Sequence, residues 1–282
     1  MIVVTGASGK LGHHVIQGLL KKLKPSEIVS AVRNPSKAAD LKALGVQVRE
    51  ADYEKPETLH SVLAGAQKVL LISSNDLGKR AIQHQAVINA AKSAGVSLLA
   101  YTSVLRANSS GLGLAKEHLD TERAILASGL PYVFLRNGWY LENHTENLAS
   151  ALQHGVIMGA AGKGRFASAS REDYALAAVA VLTSARQENK TYELAGDSSF
   201  TLADLAEEVS KRSGKKVVYK DMPAADYEKA LVGFGLPAPL AHLLADSDTG
   251  ASKGDLDSNS HDLSKLIGRA TTSLAQAVQK AI

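Results

Sequence analysis

Gly6, Gly9 and Gly12 recur at a spacing of three within Thr5-Gly6-Ala7-Ser8-Gly9-Lys10-Leu11-Gly12, directly after the apolar run Ile2 to Val4. A glycine turn between a buried strand and a helix leaves backbone N–H groups unpaired at the positive end of the helix dipole, which favours a bound diphosphate. Each glycine has its own task there: Gly6 permits the tight turn, Gly9 lets the backbone approach the ligand, and Gly12 lets the helix pack closely on the strand. A purely structural glycine-rich turn is the competing reading, and the combination of strand, helix and amino-terminal position weighs against it.

Arg33 lies 21 residues beyond Gly12, at the end of the second β-like run. A site for NAD places a carboxylate there against a ribose 2′-hydroxyl, whereas a guanidinium pairs with a 2′-phosphate through charge-assisted hydrogen bonds. The residue therefore favours NADPH; the other reading is a solvated side chain ahead of Pro35. Asp52 has two readings, an acceptor for an adenine amino group or a cap for the helical stretch from Pro56. Ser73, Ser74 and Asn75 end the fourth β-like run, beside the first at the expected switch point, and suit either a cofactor ribose and nicotinamide or ordinary turn chemistry. Asn137-Gly138-Trp139-Tyr140-Leu141-Glu142 follows the sixth run and carries the chain's single tryptophan. Polar groups beside two large aromatics suit a planar molecule, with Asn137, Trp139 and Tyr140 as candidate contacts for it; otherwise the aromatics cap the core. Arg171, opening a later helix, supports this loop or the cofactor, or is a surface residue.

The elements that must position these residues alternate up to about residue 136. Strands are expected near 2–5, 28–33, 46–51, 68–73, 97–103 and 131–135, with helices over Lys10–Leu23, Ser36–Leu44, Pro56–Leu63, Arg80–Ala94 and Ala115–Ala127. Gly45, Gly95 and Gly129 stand where a left-handed cap ends a helix before the next strand. The pattern predicts an α/β fold, a Rossmann-type doubly wound parallel sheet, with residues 1–136 as the NADP-binding domain. Residues 137–282 form a mixed segment that completes the fold and builds a smaller α/β substrate lobe, expected over the carboxyl ends of the strands. Within it are a glycine-rich turn (Gly159–Gly164), a helix (Arg171–Ala185), a strand (Thr191–Ala195), a helix from Thr201 to Ser213, a strand (Lys216–Tyr219) and a helical tail broken by Pro223, Pro237 and Pro239. Thr201 with Asp204 three positions on is a weaker relative of the capping box.

Composition narrows the chemistry. The 282 residues are 45% hydrophobic and 21% charged, close to globular averages, and suffice for a sizeable core. The absence of cysteine excludes disulfides, thiolate catalysis and thiolate metal sites, and a reducing cytoplasm is the expected location. No signal-peptide core precedes the glycine motif and no run approaches membrane-spanning length, so no membrane insertion is expected. The net charge of +4 is spread without basic blocks, which predicts no nucleic-acid partner. Asp246-x-Asp248 with Gly250 hints at a calcium loop, but the glycine falls at the fifth place and Asp257 stands at the twelfth. Nine histidines include no metal-ligand spacing, so no metal is expected.

Together Thr5–Gly12, Ala31–Pro35, Leu71–Ser74, Ala100–Ser103, Leu135–Tyr140 and Asp246–Gly254 resemble the NmrA-like branch of the atypical short-chain dehydrogenases over nearly the whole chain. The resemblance implies an NADPH site built from Gly6 to Leu11, Arg33, Ser73 to Asn75 and the Asn137–Glu142 loop. It also implies reduction of quinones or similar planar acceptors; a triarylmethane-dye or xenobiotic reductase and a non-catalytic NADP(H)-binding redox sensor are the alternatives. The oligomeric state is left open between monomer and homodimer. Standard short-chain dehydrogenases carry a Tyr-x-x-x-Lys pair in the helix after the fifth strand, where the Lys lowers the Tyr pKa. This sequence has His118-Leu-Asp-Thr-Glu122 instead, so no catalytic residue is firmly assigned. His118 remains a candidate acid or a structural histidine.

Overall fold

The computed structural model describes residues 1–282. The chain divides into two compact units, one of Met1–Ala107, Lys116–Asn137 and Arg171–Glu193, the other of Asn108–Ala115, Gly138–Ser170 and Leu194–Ile282. Part of the chain's second half, Arg171–Glu193, thus returns to complete the first unit.

The strands are β1 (Ile2–Val4), β2 (Ile28–Val32), β3 (Gln47–Glu50), β4 (Lys68–Leu71), β5 (Leu98–Val104), β6 (Tyr132–Asn137), β7 (Val156–Gly159), β8 (Lys190–Leu194) and β9 (Val218–Asp221). Seven of them form one sheet in the order β3-β2-β1-β4-β5-β6-β8. The pairs from β3 through β6 are parallel, and β8 follows β6 in the same sense, with Asn189 N–H donating to the Tyr132 carbonyl and Gly138 N–H to that of Leu194. The inner strands read as continuous apolar runs because helices cover both faces. On one face Val3, Val29, Leu71, Tyr101 and Phe134 share a core with Leu59, Leu63, Val87 and Ile88 from the helices Pro56–Leu63 and Arg80–Ser93. Elsewhere in this unit the helix Lys10–Leu20 packs on the helix Arg171–Thr183 so closely that a Cβ at Gly18 would lie 2.8 Å from Val179 Cγ2. Gly45, Gly95 and Gly129 adopt φ of +79°, +64° and +74°, the left-handed values expected of them.

Some boundaries differ from the sequence reading. The stretch Ser36–Leu44 is a 3-10 turn (Pro35–Lys37), in which Asn34 Oδ1 accepts from Ser36 N–H, followed by a short helix Ala39–Ala43. The helix from Lys10 stops at Leu20.

In the second unit β7 and β9 form a parallel two-stranded sheet, and no strand pattern in the sequence marks β7. Thr201 and Asp204 form a complete reciprocal capping box, at 3.1 and 2.8 Å. The prolines of the tail open helices: Pro223 caps Ala224–Gly233 and Pro237 caps Ala238–Ser252, with Pro239 in the first turn, where a missing N–H costs nothing. Asp246 and Asp248 lie on that last helix and accept backbone N–H groups from Gly113 and Ala160, both at 2.8 Å, a geometry unlike a calcium loop. Gly250 is there for space, since a Cβ would fall 2.3 Å from Leu112 Cδ2.

Burial raises the Asp248 carboxyl to about 6, against the N–H bond from Ala160, and the Asp221 carboxylate adds repulsion. A carboxyl that binds its proton more tightly folded than unfolded stabilises the fold at low pH, and loses that contribution as pH rises from about 4 through 6. Asp248→Asn is therefore expected to gain stability relative to the natural protein between pH 4 and pH 7, by up to about 2–3 kcal/mol, read by denaturant unfolding at the two pH values.

Candidate functional site

β1, β2 and β4 are neighbours in the sheet and run to the same edge: the last residue of β1, Val4, is level with Ser30, two residues before the end of β2, and with Leu70, one before the end of β4. The chain reverses topology between β1 and β4, so the crevice outside their carboxyl ends is where an open α/β sheet binds ligands. The turn after β1 is pinned to both neighbours, with Thr5 N–H donating to the Leu70 carbonyl at 3.0 Å and Ala7 N–H to that of Ala31 at 3.2 Å. Gly6 has φ +60°, which a side chain tolerates poorly. A Cβ at Gly9 would stand 3.2 Å from the Gly6 carbonyl oxygen, tight but adjustable. At Gly12 it would stand 2.4 Å from that oxygen and 2.7 Å from Ala7 Cα, so this glycine is required by the helix lying on the turn itself. Gly6, Ser8, Gly9 and Lys10 are exposed while Ala7 and Leu11 are buried. No side chain caps the helix at Gly9, which leaves its amino end to an anion from outside.

Arg33 follows β2 and is exposed, with no carboxylate paired to it. Asp52, past β3, has its side chain engaged locally: Oδ1 accepts from Glu54 N–H at 3.0 Å and Oδ2 lies 3.9 Å from Lys55 Nζ, while Lys55 is the cap of the following helix. Ser73 and Ser74 are half-buried and Asn75 exposed at the end of β4. Asn137 ends β6; its side-chain oxygen Oδ1 is buried without a hydrogen-bond partner, and the residue is 6% exposed. Arg171 is the half-buried first residue of its helix in the same unit. In the other unit, Trp139 and Tyr140 are half-buried, Leu141 is buried and Glu142 half-buried. Their loop is fixed by Leu141 N–H donating to Ala169 and Ala169 N–H to Trp139, at 2.9 and 3.2 Å.

Several supporting residues carry no sequence signature. Tyr53 donates to Thr5 Oγ1 at 2.5 Å and lies 3.0 Å from the Ile72 carbonyl, tying the ends of β1, β3 and β4. Thr102 on β5 accepts from Ser73 N–H at 2.9 Å. His84 and Arg80 bond the two backbone polar groups of Ser74.

At the positions of the missing Tyr/Lys pair the side chains are committed to the fold. His118 is 5% exposed, its Nδ1 is 2.7 Å from the Tyr101 hydroxyl, and burial, with the Arg80 guanidinium and His84 adding to it, holds its imidazole well below the ordinary range. Glu122 is buried in a two-point pair with Arg136, at 2.9 and 2.7 Å, and accepts from Ser103 Oγ at 2.6 Å. The third guanidinium nitrogen, Nη1, donates to Glu193 Oε1 at 2.8 Å, whose other oxygen accepts from Arg106 N–H. Both side chains are thus engaged by neighbouring groups of the protein.

The NmrA-like family matches residues 1–275. The chain belongs to this family. It is 55% identical to Quinone oxidoreductase 2 of Escherichia coli strain K12, over 99% of this chain and 97% of that protein, and 26% identical to an NAD(P)H azoreductase of Xenophilus azovorans, over 98% and 96%. Among solved structures it resembles the E. coli NADPH-dependent quinone oxidoreductase complexed with NADPH, at a TM-score of 0.97 and 55% identity over 99% of both chains. The Citrobacter sp. triphenylmethane reductase complexed with NADP(H) also gives a TM-score of 0.97, at 42% identity over 100% of both chains. No helix of this family member is long and apolar enough to cross a membrane.

Gly12→Ala is expected to cost about 1–3 kcal/mol of stability, the usual range for inserting an atom where backbone leaves no room. Gly9→Ala should cost clearly less, because its contact is 3.2 Å instead of 2.4 Å; thermal unfolding of the two variants side by side measures the difference.

Proposed function

We propose that this chain is an NADPH-dependent reductase that delivers a hydride to quinones or similar planar acceptors. The observation that carries the reading is the exposed, uncapped glycine turn at the joined ends of β1, β2 and β4, with an unpaired guanidinium following β2. The turn from Gly6 to Gly12 takes the diphosphate, Arg33 the 2′-phosphate, and Asp52 the adenine amino group. Ser73, Ser74 and Asn75 take the ribose and nicotinamide side. The buried, unpartnered Oδ1 of Asn137 suits an N–H donor of the cofactor, so the residues present fit the group. Gly138, Leu141, Glu142 and Arg171 are assigned supporting contacts to the cofactor, and Trp139 and Tyr140 contacts to the flat face of the acceptor as well. When bound, NADPH supplies the hydride.

The acceptor class is supported by the E. coli relative's name and by the absence of an acid in working order. The charge developing on a quinone oxygen is delocalised over the ring, so water suffices as proton source, and the protein's task is to bind, orient and exclude side reactions. The same relative favours turnover over a sensor role, and the Citrobacter relative makes triarylmethanes the second acceptor class to try. Steady NADPH oxidation with benzoquinone or menadione is the direct test. Turnover no faster than the uncatalysed background on every quinone and dye would favour the sensor.

Arg33→Ala should weaken NADPH far more than NADH, by the roughly 1.5–3 kcal/mol of a charge-assisted hydrogen bond, measured as the ratio of the two dissociation constants; equal losses would remove the 2′-phosphate assignment. His118→Ala should cost little turnover, well below the roughly 10²–10⁴-fold loss that follows removal of a general acid. Tyr140→Ala should lower quinone turnover more than His118→Ala does, with folding checked by circular dichroism; a large loss of turnover in His118→Ala, with folding and NADPH affinity intact, would make His118 the proton donor.

A further inference from the structure

Helix Arg80–Ser93 sends two side chains, one turn apart, to the two peptide groups that flank the Cα of Ser74 in the turn after β4. Arg80 Nε donates to the Ser74 carbonyl at 2.6 Å, and Ser74 N–H donates to His84 Nε2 at 3.0 Å. The histidine's tautomer follows from its other side. Thr121 Oγ1 donates to the Glu117 carbonyl at 2.9 Å, so toward His84 Nδ1, at 2.8 Å, it is the acceptor. Nδ1 therefore carries the proton and Nε2 the lone pair that Ser74 needs. His84 is fully buried, between Tyr53 and Tyr101 edge to face, and burial, with the Arg80 charge adding to it, pushes its imidazole down to about 3. It stays neutral, and the acceptor is permanent, across the physiological range. Glu117 completes the support, 3.6 Å from Arg80 Nη1 and accepting from Gly78 N–H at 2.9 Å.

We infer that His84, with Arg80, is a positioning residue for the cofactor: the two clamp both backbone polar groups of Ser74 and thereby present Ser73–Asn75 to the nicotinamide half of NADPH. This deepens the proposed function and rests on it. A side chain that only filled the core would leave cofactor affinity alone once the protein is folded. A clamp makes affinity depend on whether an acceptor stands at the Nε2 position. Glutamine places its side-chain oxygen near that position, and leucine keeps the bulk without it.

The test is calorimetric titration of the full chain with NADPH, together with KM for NADPH and kcat on menadione. His84→Leu is expected to raise the NADPH dissociation constant about tenfold, the equilibrium equivalent of one lost hydrogen bond, and to raise KM while leaving kcat at saturation within about threefold. His84→Gln should stay within about threefold of the natural protein in affinity. Thr121→Val, which releases the tautomer without emptying the site, serves if the leucine variant does not fold, and should raise the dissociation constant about three- to fivefold. Unchanged affinity in folded His84→Leu or in Thr121→Val overturns the positioning role, as does a glutamine variant as weak as the leucine one. Failure of the natural protein to bind NADPH overturns the functional reading and this role with it, and is distinguishable from the first outcome by that control alone.

Discussion

The missing Cβ of Gly12 is the constraint from which the candidate site follows. Helix Lys10–Leu20 lies against its own entry turn with 2.4 Å between the Gly6 carbonyl oxygen and the place a Cβ would occupy. That approach brings the helix's amino end over the tip of β1, and the bonds from Thr5 to β4 and from Ala7 to β2 hold the turn between its neighbours. Tyr53 reinforces the same point by reaching Thr5 and the Ile72 carbonyl. A dipole end and a set of exposed backbone groups are thus aimed in one direction by contacts too short to permit another arrangement.

A second constraint is electrostatic. Glu122 stands where a standard short-chain dehydrogenase has its lysine, and it is tied to Arg136, which is tied in turn to Glu193. A buried carboxylate such as Glu122 persists only with its partner, and removing the partner of a buried pair costs about 3–5 kcal/mol, while the half-buried Arg136 and Glu193 contribute less. The hydrogen bonds to Glu122 and Glu193 raise the Arg136 pKa, against the cost of burial, so the guanidinium is a fixed charge and not a proton carrier. With His118 held neutral beside Tyr101, the helix that carries general acid chemistry in standard short-chain dehydrogenases here serves the ends of β5, β6 and β8. What remains for the protein is binding and orientation, which suits an acceptor that needs little help with protons.

The parts legible in the sequence share a physical reason. The inner strands are apolar on both faces, the glycine caps demand positive φ, and the turn after β1 combines three glycines with a strand and a helix, so local rules and tertiary structure agree. Where local signals are weak, the reading missed. Helices Leu141–Thr145 and Leu148–His154 are too short to show a period, and β7 is a half-buried strand of four residues. β9 begins at Val218, two residues later than the strand expected from Lys216, because most of it is exposed and no alternation marks its register. Asp246 and Asp248, whose spacing only superficially matches a calcium loop, sit on a helix of the expected helical tail and bind backbone N–H groups far away in sequence. The clamp of Arg80 and His84 on Ser74 was invisible for the same reason: its i, i+4 spacing is ordinary for any helix, and only the tertiary path of the β4 turn gives it a partner.

In the proposed site one cofactor is bound by the turns after β1, β2 and β4 together. Hydrogen–deuterium exchange of the full chain with and without saturating NADPH tests it most directly, because it reads the backbone groups of all three turns at once. Increased protection is expected in the peptides spanning residues 6–12, 31–35 and 72–77. Saturation with NADPH that leaves these three segments unprotected, while protecting others, would contradict it.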